Sequence, residues 1–357
     1  MHHFATLLLT FVSMGSIASL GAAEEAGDPL KDLGEGTAVV RATASASVLG
    51  LSGSSVTDAA ATAAASPSSG SGGSVLDAMK ESLFGDVYAD PSRWCELSAS
   101  TFFSQGWNKP WVSPPPGEGG APRQGWLNAF DGVFYRLAVA TTGYAEGFHN
   151  NGNQYTGGVT LYTPFNERFE LQYDVPFIVS NREATGSGYE ANFGDFQVTP
   201  RFLISETRNV TQSFNLTFRT PTGDTSNGNA FAAVTPTYQF WANPWRALVL
   251  RGGAGLSVPY YNLATGARTS FIANFAAGYY CTPHDLTPFG DLVAYLSANL
   301  NQPTDNRAGP RNTTVTLTPG FRTHLGGNWY LLGGVEVPVT RPRTFDYQVL
   351  GGLMRVF

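Results

Sequence analysis

Hydrolytic chemistry at neutral pH needs a base within hydrogen-bond reach of a nucleophile. Beyond residue 125 the chain offers three histidines, His149, His284 and His324. None has a serine two residues away, where strand alternation would put both side chains on one face. An outer-membrane lipid hydrolase is therefore disfavoured, and we expect no enzyme activity. Histidine and cysteine nowhere group at metal-ligand spacing, and no glycine-rich loop opens a helix as a phosphate cradle requires. No cofactor is expected. Cys95 and Cys281 are too few for a disulfide framework. One bridge between them or two unpaired thiols are both compatible with an exported protein.

The charged residues carry more information. Glu170, Asp174, Arg201, Arg219, Arg251, Asp291, Arg322 and Glu336 fall on the polar parity of segments whose other parity is apolar. In a membrane wall such charges must face the interior, because on the lipid side they are costly. Two readings remain open: a narrow polar pore with opposed acidic and basic patches, or cross-strand ion pairs filling a narrow barrel. The second is favoured for most single residues.

The elements that would position these groups repeat one pattern. Phe169, Leu171, Tyr173, Val175 and Phe177 alternate with Glu170, Gln172 and Asp174; Phe214, Leu216 and Phe218 alternate with Ser213, Asn215 and Thr217. Period-two alternation over such lengths suits membrane strands of about nine to eleven residues better than soluble strands of about five or six. We expect strands near 128–142, 153–163, 167–179, 193–206, 210–221, 230–241, 245–258, 270–281, 286–299, 312–324, 328–339 and 345–357. Tight connections at 164–167, 207–209, 242–244, 282–285 and 325–328 alternate with long polar ones at 143–152, 180–192, 222–229, 259–269 and 300–311. That is the short-turn, long-loop layout of a membrane barrel. The expected fold is all-β, a transmembrane antiparallel barrel of about twelve strands over 126–357, preceded by a flexible N-terminal region. Pro200, Pro236 and Pro319 inside strands would cost ladder donors, and bulges are the expected accommodation.

Composition agrees. Charged residues are 13% and aromatics 13% of the 357, with 41 glycines. The net charge of −6 and the lack of a basic tract exclude nucleic acid as a natural partner. Mean hydropathy is −0.10, and after the N-terminus nothing approaches a membrane helix. Residues 1–23 read as a signal peptide, with an apolar run from Leu7 to Leu20 and cleavage after Ala23. Residues 24–90 are a low-complexity periplasmic segment expected to be flexible, although Val75, Leu76, Met79, Leu83 and Phe84 share one helical face. Residues 91–125 hold Trp94, Phe102, Phe103, Trp107 and Trp111 among prolines and glycines. Such aromatics want burial: inside the barrel, against its periplasmic rim, or at the membrane interface. The final strand ends on Phe357, which resembles the C-terminal signal read by the barrel assembly machinery.

One block is distinctive. Gly194-Asp195 precedes a strand pair that ends in Pro221-Thr222-Gly223-Asp224. Over roughly 150–357 this resembles the outer-membrane transporter family named for the MetA pathway of phenol degradation. The resemblance implies a barrel in the outer membrane, in contact with its lipid, that passes small and often hydrophobic solutes. The motif residues themselves read as turns at strand ends. A third class, an envelope-tethering barrel without a conducting pore, stays open.

Overall fold

The structure is a computed structural model that describes residues 74–357 apart from 124, 149–151, 183–188, 226–228 and 308–310. The expected signal peptide, most of the expected low-complexity segment and His149 lie outside the described residues. A ten-residue helix, α1 (Val75–Phe84), opens the described chain. Ser74 caps it by accepting from the Asp77 backbone N–H, and the Asp77 side chain caps in return.

The strands are β1 (Leu137–Gly147), β2 (Gly152–Pro164), β3 (Phe169–Arg182), the short β4 (Glu190–Asn192), β5 (Gln197–Glu206), β6 (Val210–Arg219), β7 (Ala232–Trp245), β8 (Leu248–Tyr261), β9 (Ser270–Tyr280), β10 (Gly290–Pro303), β11 (Thr314–Gly326), β12 (Trp329–Pro338) and β13 (Tyr347–Val356). Each pairs antiparallel with its neighbours, β4 flanking β3 as a spur. β1 closes on β13, from Leu137 opposite Val356 to Glu146 opposite Tyr347. The result is a closed barrel of twelve staves, which leaves no strand edge unpaired in lipid.

Alternation sets the two faces. Phe214, Phe218, Phe271 and Phe275 stand exposed on the outside, while Ser213, Asn215, Ser270 and Asn274 are buried inside. An apolar outer wall of this extent is tolerable only in a membrane, and the protein is an outer-membrane β-barrel. No helix among the described residues is long and apolar enough to cross a membrane. At the rim where both barrel ends lie, Arg355 points outward, its guanidinium 5.1 Å from the Phe357 ring and 5.5 Å from the Trp329 ring. A cation stacked on interfacial aromatics reconciles this charge with an apolar parity.

The prolines are accommodated without bulges. Opposite Pro200 the β5–β6 ladder passes from Val198–Phe218 to Arg201–Asn215. Opposite Pro236 the β7–β8 ladder passes from Val234–Val258 to Thr237–Gly255. Opposite Pro319 the β11–β12 ladder passes from Leu317–Val337 to Gly320–Gly334. Register is kept each time, and pairing lapses on one side only. The missing N–H faces that gap, while the other side of each proline stays paired, with Leu171, Leu216 and Leu296.

Three boundaries depart from expectation. The first strand begins at Leu137, not near 128, and runs to Gly147, which takes half of the expected 143–152 loop. The connection between β9 and β10 spans 281–289 in place of a tight turn at 282–285. Residues 126–136, expected in the wall, belong to no strand. Cys95 and Cys281 are both free thiols.

Candidate functional site: a segment inside the barrel

Residues 86–123 cover the short-turn end of the barrel. Leu97 exchanges both backbone hydrogen bonds with Glu206 at 2.8 Å, and Trp94 Nε1 donates to Glu206 Oε2 at 3.0 Å. Arg123, fully buried, donates to Glu206 Oε1 at 3.2 Å and to the Thr207 carbonyl at 2.6 Å. Arg168 spends its guanidinium on carbonyls of Ser98, Gln105, Leu203 and Ile204. Trp111, Val87, Leu97, Leu203 and Phe134 form the apolar cluster beneath. α1 joins this cap: Arg136 donates to the Ser82 and Gly85 carbonyls and to the Phe357 carbonyl at 2.9 Å. In the β2–β3 turn, the Glu167 N–H donates to the Lys109 carbonyl at 3.2 Å. Burial pushes the Glu167 carboxyl up to about 7, against the pull of Lys109.

From residue 121 the chain enters the lumen. Trp126, Leu127, Ala129, Asp131, Val133, Phe134 and Tyr135 are all 2% exposed or less. The Trp126 ring stacks on Tyr295, with centroids 4.9 Å apart and planes 9° apart. The wall makes room for it at Gly278, where a Cβ would lie 2.7 Å from the indole. The segment bends at Asn128, whose φ is 55°, an αL conformation that asparagine tolerates better than most residues.

This segment makes no ladder with the wall, so its backbone groups need side-chain partners. Asn274 accepts from the Phe130 N–H at 2.8 Å, and Gln239 from the Asp131 N–H at 3.0 Å. The Asn128 carbonyl accepts from Ser297 at 2.5 Å, and its side chain donates to Glu336 at 2.9 Å. Arg201 donates to the carbonyls of Asp131 and Val133, each at 2.8 Å. Arg251 donates to the Arg123 carbonyl at 2.6 Å.

Two ion pairs lie at the centre. Asp131 Oδ1 accepts from Arg251 Nη1 at 3.0 Å and from the Tyr135 hydroxyl at 2.6 Å. Arg201 pairs with Glu170, whose other oxygen accepts from the Tyr135 N–H at 2.5 Å. All four charged side chains are wholly buried. Such pairs offset their desolvation only with this density of hydrogen bonds.

The eight charged residues taken from the sequence therefore divide. Glu170, Arg201, Arg251 and Glu336 hold the inner segment. Asp174 accepts from Thr160 at 2.7 Å and from Gln172 at 3.0 Å. Arg219 pairs with Asp195 at 2.7 Å. Asp291 pairs with His284 at 2.6 Å, and Arg322 donates to the Asp291 carbonyl at 3.1 Å. The residues sequence reasoning missed are Asn128 and Asp131 in the segment and Gln239, Asn274 and Ser297 in the wall. The last three sit on the polar parity but carry no charge to single them out.

The motif residues form a second, compact knot. Asp195, 2% exposed, accepts from the N–H groups of Gly223 and Ala230, both at 2.8 Å, besides Arg219. Thr222 Oγ1 accepts from the Phe196 N–H at 2.8 Å. The Arg219 guanidinium lies 3.7 Å from the Phe231 ring centroid. A Cβ on Gly223 would sit 2.8 Å from the Gly194 carbonyl carbon, so the two motif glycines let these backbones touch. Asp195 and Gly223 thus fasten the β6–β7 connection to the chain entering β5. Pro221 and Asp224 lie in the same connection, and the Asp224 N–H reaches the Phe193 carbonyl at 3.3 Å.

The chain is similar in structure to an outer membrane channel from Pseudomonas putida F1, with 12% identity over 64% of this chain and 97% of that one and a TM-score of 0.48. It is also similar to the KdgM porin, with 9% identity, 62% and 99% coverage and a TM-score of 0.43, and to the NanC porin, with 8% identity, 62% and 98% coverage and a TM-score of 0.41. A comparison with curated protein sequences gives no match. The family described as "Putative MetA-pathway of phenol degradation" matches residues 127–347, which take in the motif knot, most of the inner segment and all of the barrel strands before β13, and the chain belongs to that family.

Proposed function

We propose that this barrel gives small molecules passage across the outer membrane and that residues 121–136 are its gate, closed in the conformation described. The observation that carries the reading is the independence of the gate from the wall. Side chains alone fill barrels of about eight strands, and barrels of 16–18 strands leave an aqueous channel. A twelve-strand barrel lies between. Here its lower lumen is filled by a separate stretch of chain, held by side-chain hydrogen bonds and two ion pairs, while the wall closes without it. A barrel that served only as an anchor would need no such removable filling.

The lining favours a solute class. Trp126, Tyr135, Tyr162, Tyr280 and Tyr295 are buried in the lumen beside the arginines. Aromatic faces suit a small hydrophobic or aromatic molecule with few polar groups. The covered short-turn end also fits a tethering barrel with no pore, and conductance separates the two. In a planar bilayer, the full-length protein should show low or flickering conductance, and deletion of 24–133 should raise it several-fold. Equal, negligible conductance from both proteins in the folded state would remove the channel reading and favour tethering.

A further inference from the structure

In the cap, the Cys95 sulfur lies between a carboxylate and an amine. It donates to Glu167 Oε1 at 3.6 Å and accepts from Lys109 Nζ at 3.7 Å. The sequence holds two cysteines and only three lysines, Lys31, Lys80 and Lys109, so a thiol in contact with an amine is a rare pairing for this chain. Cys95 is partly exposed and Lys109 is exposed, so a small reagent reaches both.

A small cavity adjoins the thiol. Cys95, Glu167, Glu206, Trp94 and Trp111 are among the residues lining it, and it has room for about one water-sized molecule. Glu167 is 8% exposed, and its Oε2 is buried with no hydrogen-bond partner among the described residues. An idle acceptor on the wall of such a space suits a small hydrogen-bond donor. Burial and the Glu167 charge push the Cys95 thiol up. Attack by this sulfur therefore calls for a base, and the Glu167 carboxylate is in place to act as one.

We propose that Cys95 and Lys109 form an oxidative cross-linking site, which hydrogen peroxide converts to a sulfur–nitrogen bond. In the first step Glu167 takes the thiol proton and the sulfur attacks the peroxide. An S–O bond forms and the O–O bond breaks. The departing hydroxide recovers the proton as water, so the thiol is oxidised to a sulfenic acid and the peroxide is reduced. In the second step the Lys109 ammonium releases one proton to solvent, and its amine attacks the sulfur. An S–N bond forms, the S–O bond breaks, and the hydroxide leaves as water with the second amine proton. The bond closes the loop 95–109. That loop carries the Ser98 and Gln105 carbonyls that hold Arg168 and the Leu97 backbone that bonds Glu206, so oxidation staples the cap to the short-turn end. The site does not depend on whether the barrel conducts.

The test treats the folded full-length protein, carrying Cys281→Ser to remove the other thiol, with hydrogen peroxide in detergent micelles. After quenching and unfolding, trypsin releases Trp94 to Arg123 as one peptide, because Lys109 precedes Pro110. Mass spectrometry should find this peptide lighter by two hydrogens, with fragmentation between Cys95 and Lys109 suppressed and the original mass restored by a thiol reductant. Lys109→Arg should abolish the product and raise trapping of the sulfenic acid by dimedone at least tenfold. Protein unfolded in urea before the peroxide is added should give at least tenfold less product. Only unmodified or oxygenated peptide from the folded protein, or an equal yield of the lighter peptide from Lys109→Arg or from unfolded protein, overturns the proposal.

Discussion

Asp131, in a stretch of chain that belongs to no strand, accepts a 3.0 Å hydrogen bond from Arg251 of the barrel wall, with both side chains wholly buried. This contact joins the segment 121–136 to a wall that closes without it. Arg201, which pairs with Glu170, also grips the Asp131 carbonyl, so one residue of the segment engages two wall arginines.

Asp131→Asn keeps the shape and removes the charge. Breaking a buried pair from one side costs about 3–5 kcal/mol, and here the cost falls on the docked state of the segment. The variant should conduct more than wild type in planar bilayers. Trypsin should also cut it faster after Arg123, which is fully buried when the segment is docked. Unchanged conductance and unchanged cleavage would mean that Asp131 does not hold the segment in place.

The motif knot predicts a different phenotype. Gly223→Ala drives a methyl into the Gly194 and Asp195 backbone, and Asp195→Ala strips acceptors from Arg219 and three backbone N–H groups. Each should destabilise the β6–β7 connection by about 1–3 kcal/mol, read as faster amide exchange at Gly223 and Ala230. The barrel itself should still assemble, which heat-modified mobility on gels would report.

Glu167 gives the cap a pH dependence. Its folded carboxyl is raised to about 7 from an ordinary 4.5. Docking of the cap is therefore favoured by the proton: this contribution is fully present below about 4.5 and is lost as pH rises through about 7. Amide exchange at Lys109 and nearby residues should quicken over that window. Glu167→Gln should flatten the response, and an equal pH response in the variant would assign it elsewhere.

Assembly should depend on Phe357 through its contacts with Arg136. The Phe357 N–H donates to the Arg136 carbonyl at 3.1 Å and its carbonyl accepts from Arg136, while its ring faces outward. Phe357→Ser should lower outer-membrane levels far more than a change at Ser68. Equal levels for both would contradict an assembly role.

The wall was legible because lipid outside and polar groups inside force a two-residue period, and the run from Phe169 to Phe177 displays it plainly. The inner segment was not. Trp126 to Tyr135 is rich in aromatics and nearly uninterrupted by charge, and burial on all sides erases the alternation that would distinguish a plug from a strand. The sequence therefore reads the segment as the start of β1. Asp131 is its one charge, and nothing local reveals that its partners lie on β5 and β8. The aromatics of 91–125 announced burial, which Trp111 meets while Phe103 stays 92% exposed, and three places were open for them. Trp94 and Trp111 pack at the short-turn end, and the chain that follows enters the lumen. The prolines were misjudged for a physical reason: a missing donor can face a lapse in the ladder with register kept, so no bulge is required.

The central claim is that residues 121–136 fill the lumen and control passage through it, and a reversible cross-link tests it most directly. The Asn128 side chain donates to Thr318 Oγ1 at 3.2 Å. In a background with Cys95 and Cys281 replaced by serine, Asn128→Cys combined with Thr318→Cys should form a disulfide on oxidation. Bilayer conductance should then be locked low and should rise when reductant is added. Failure to cross-link, or conductance indifferent to reduction of a bond shown to have formed, would contradict the account.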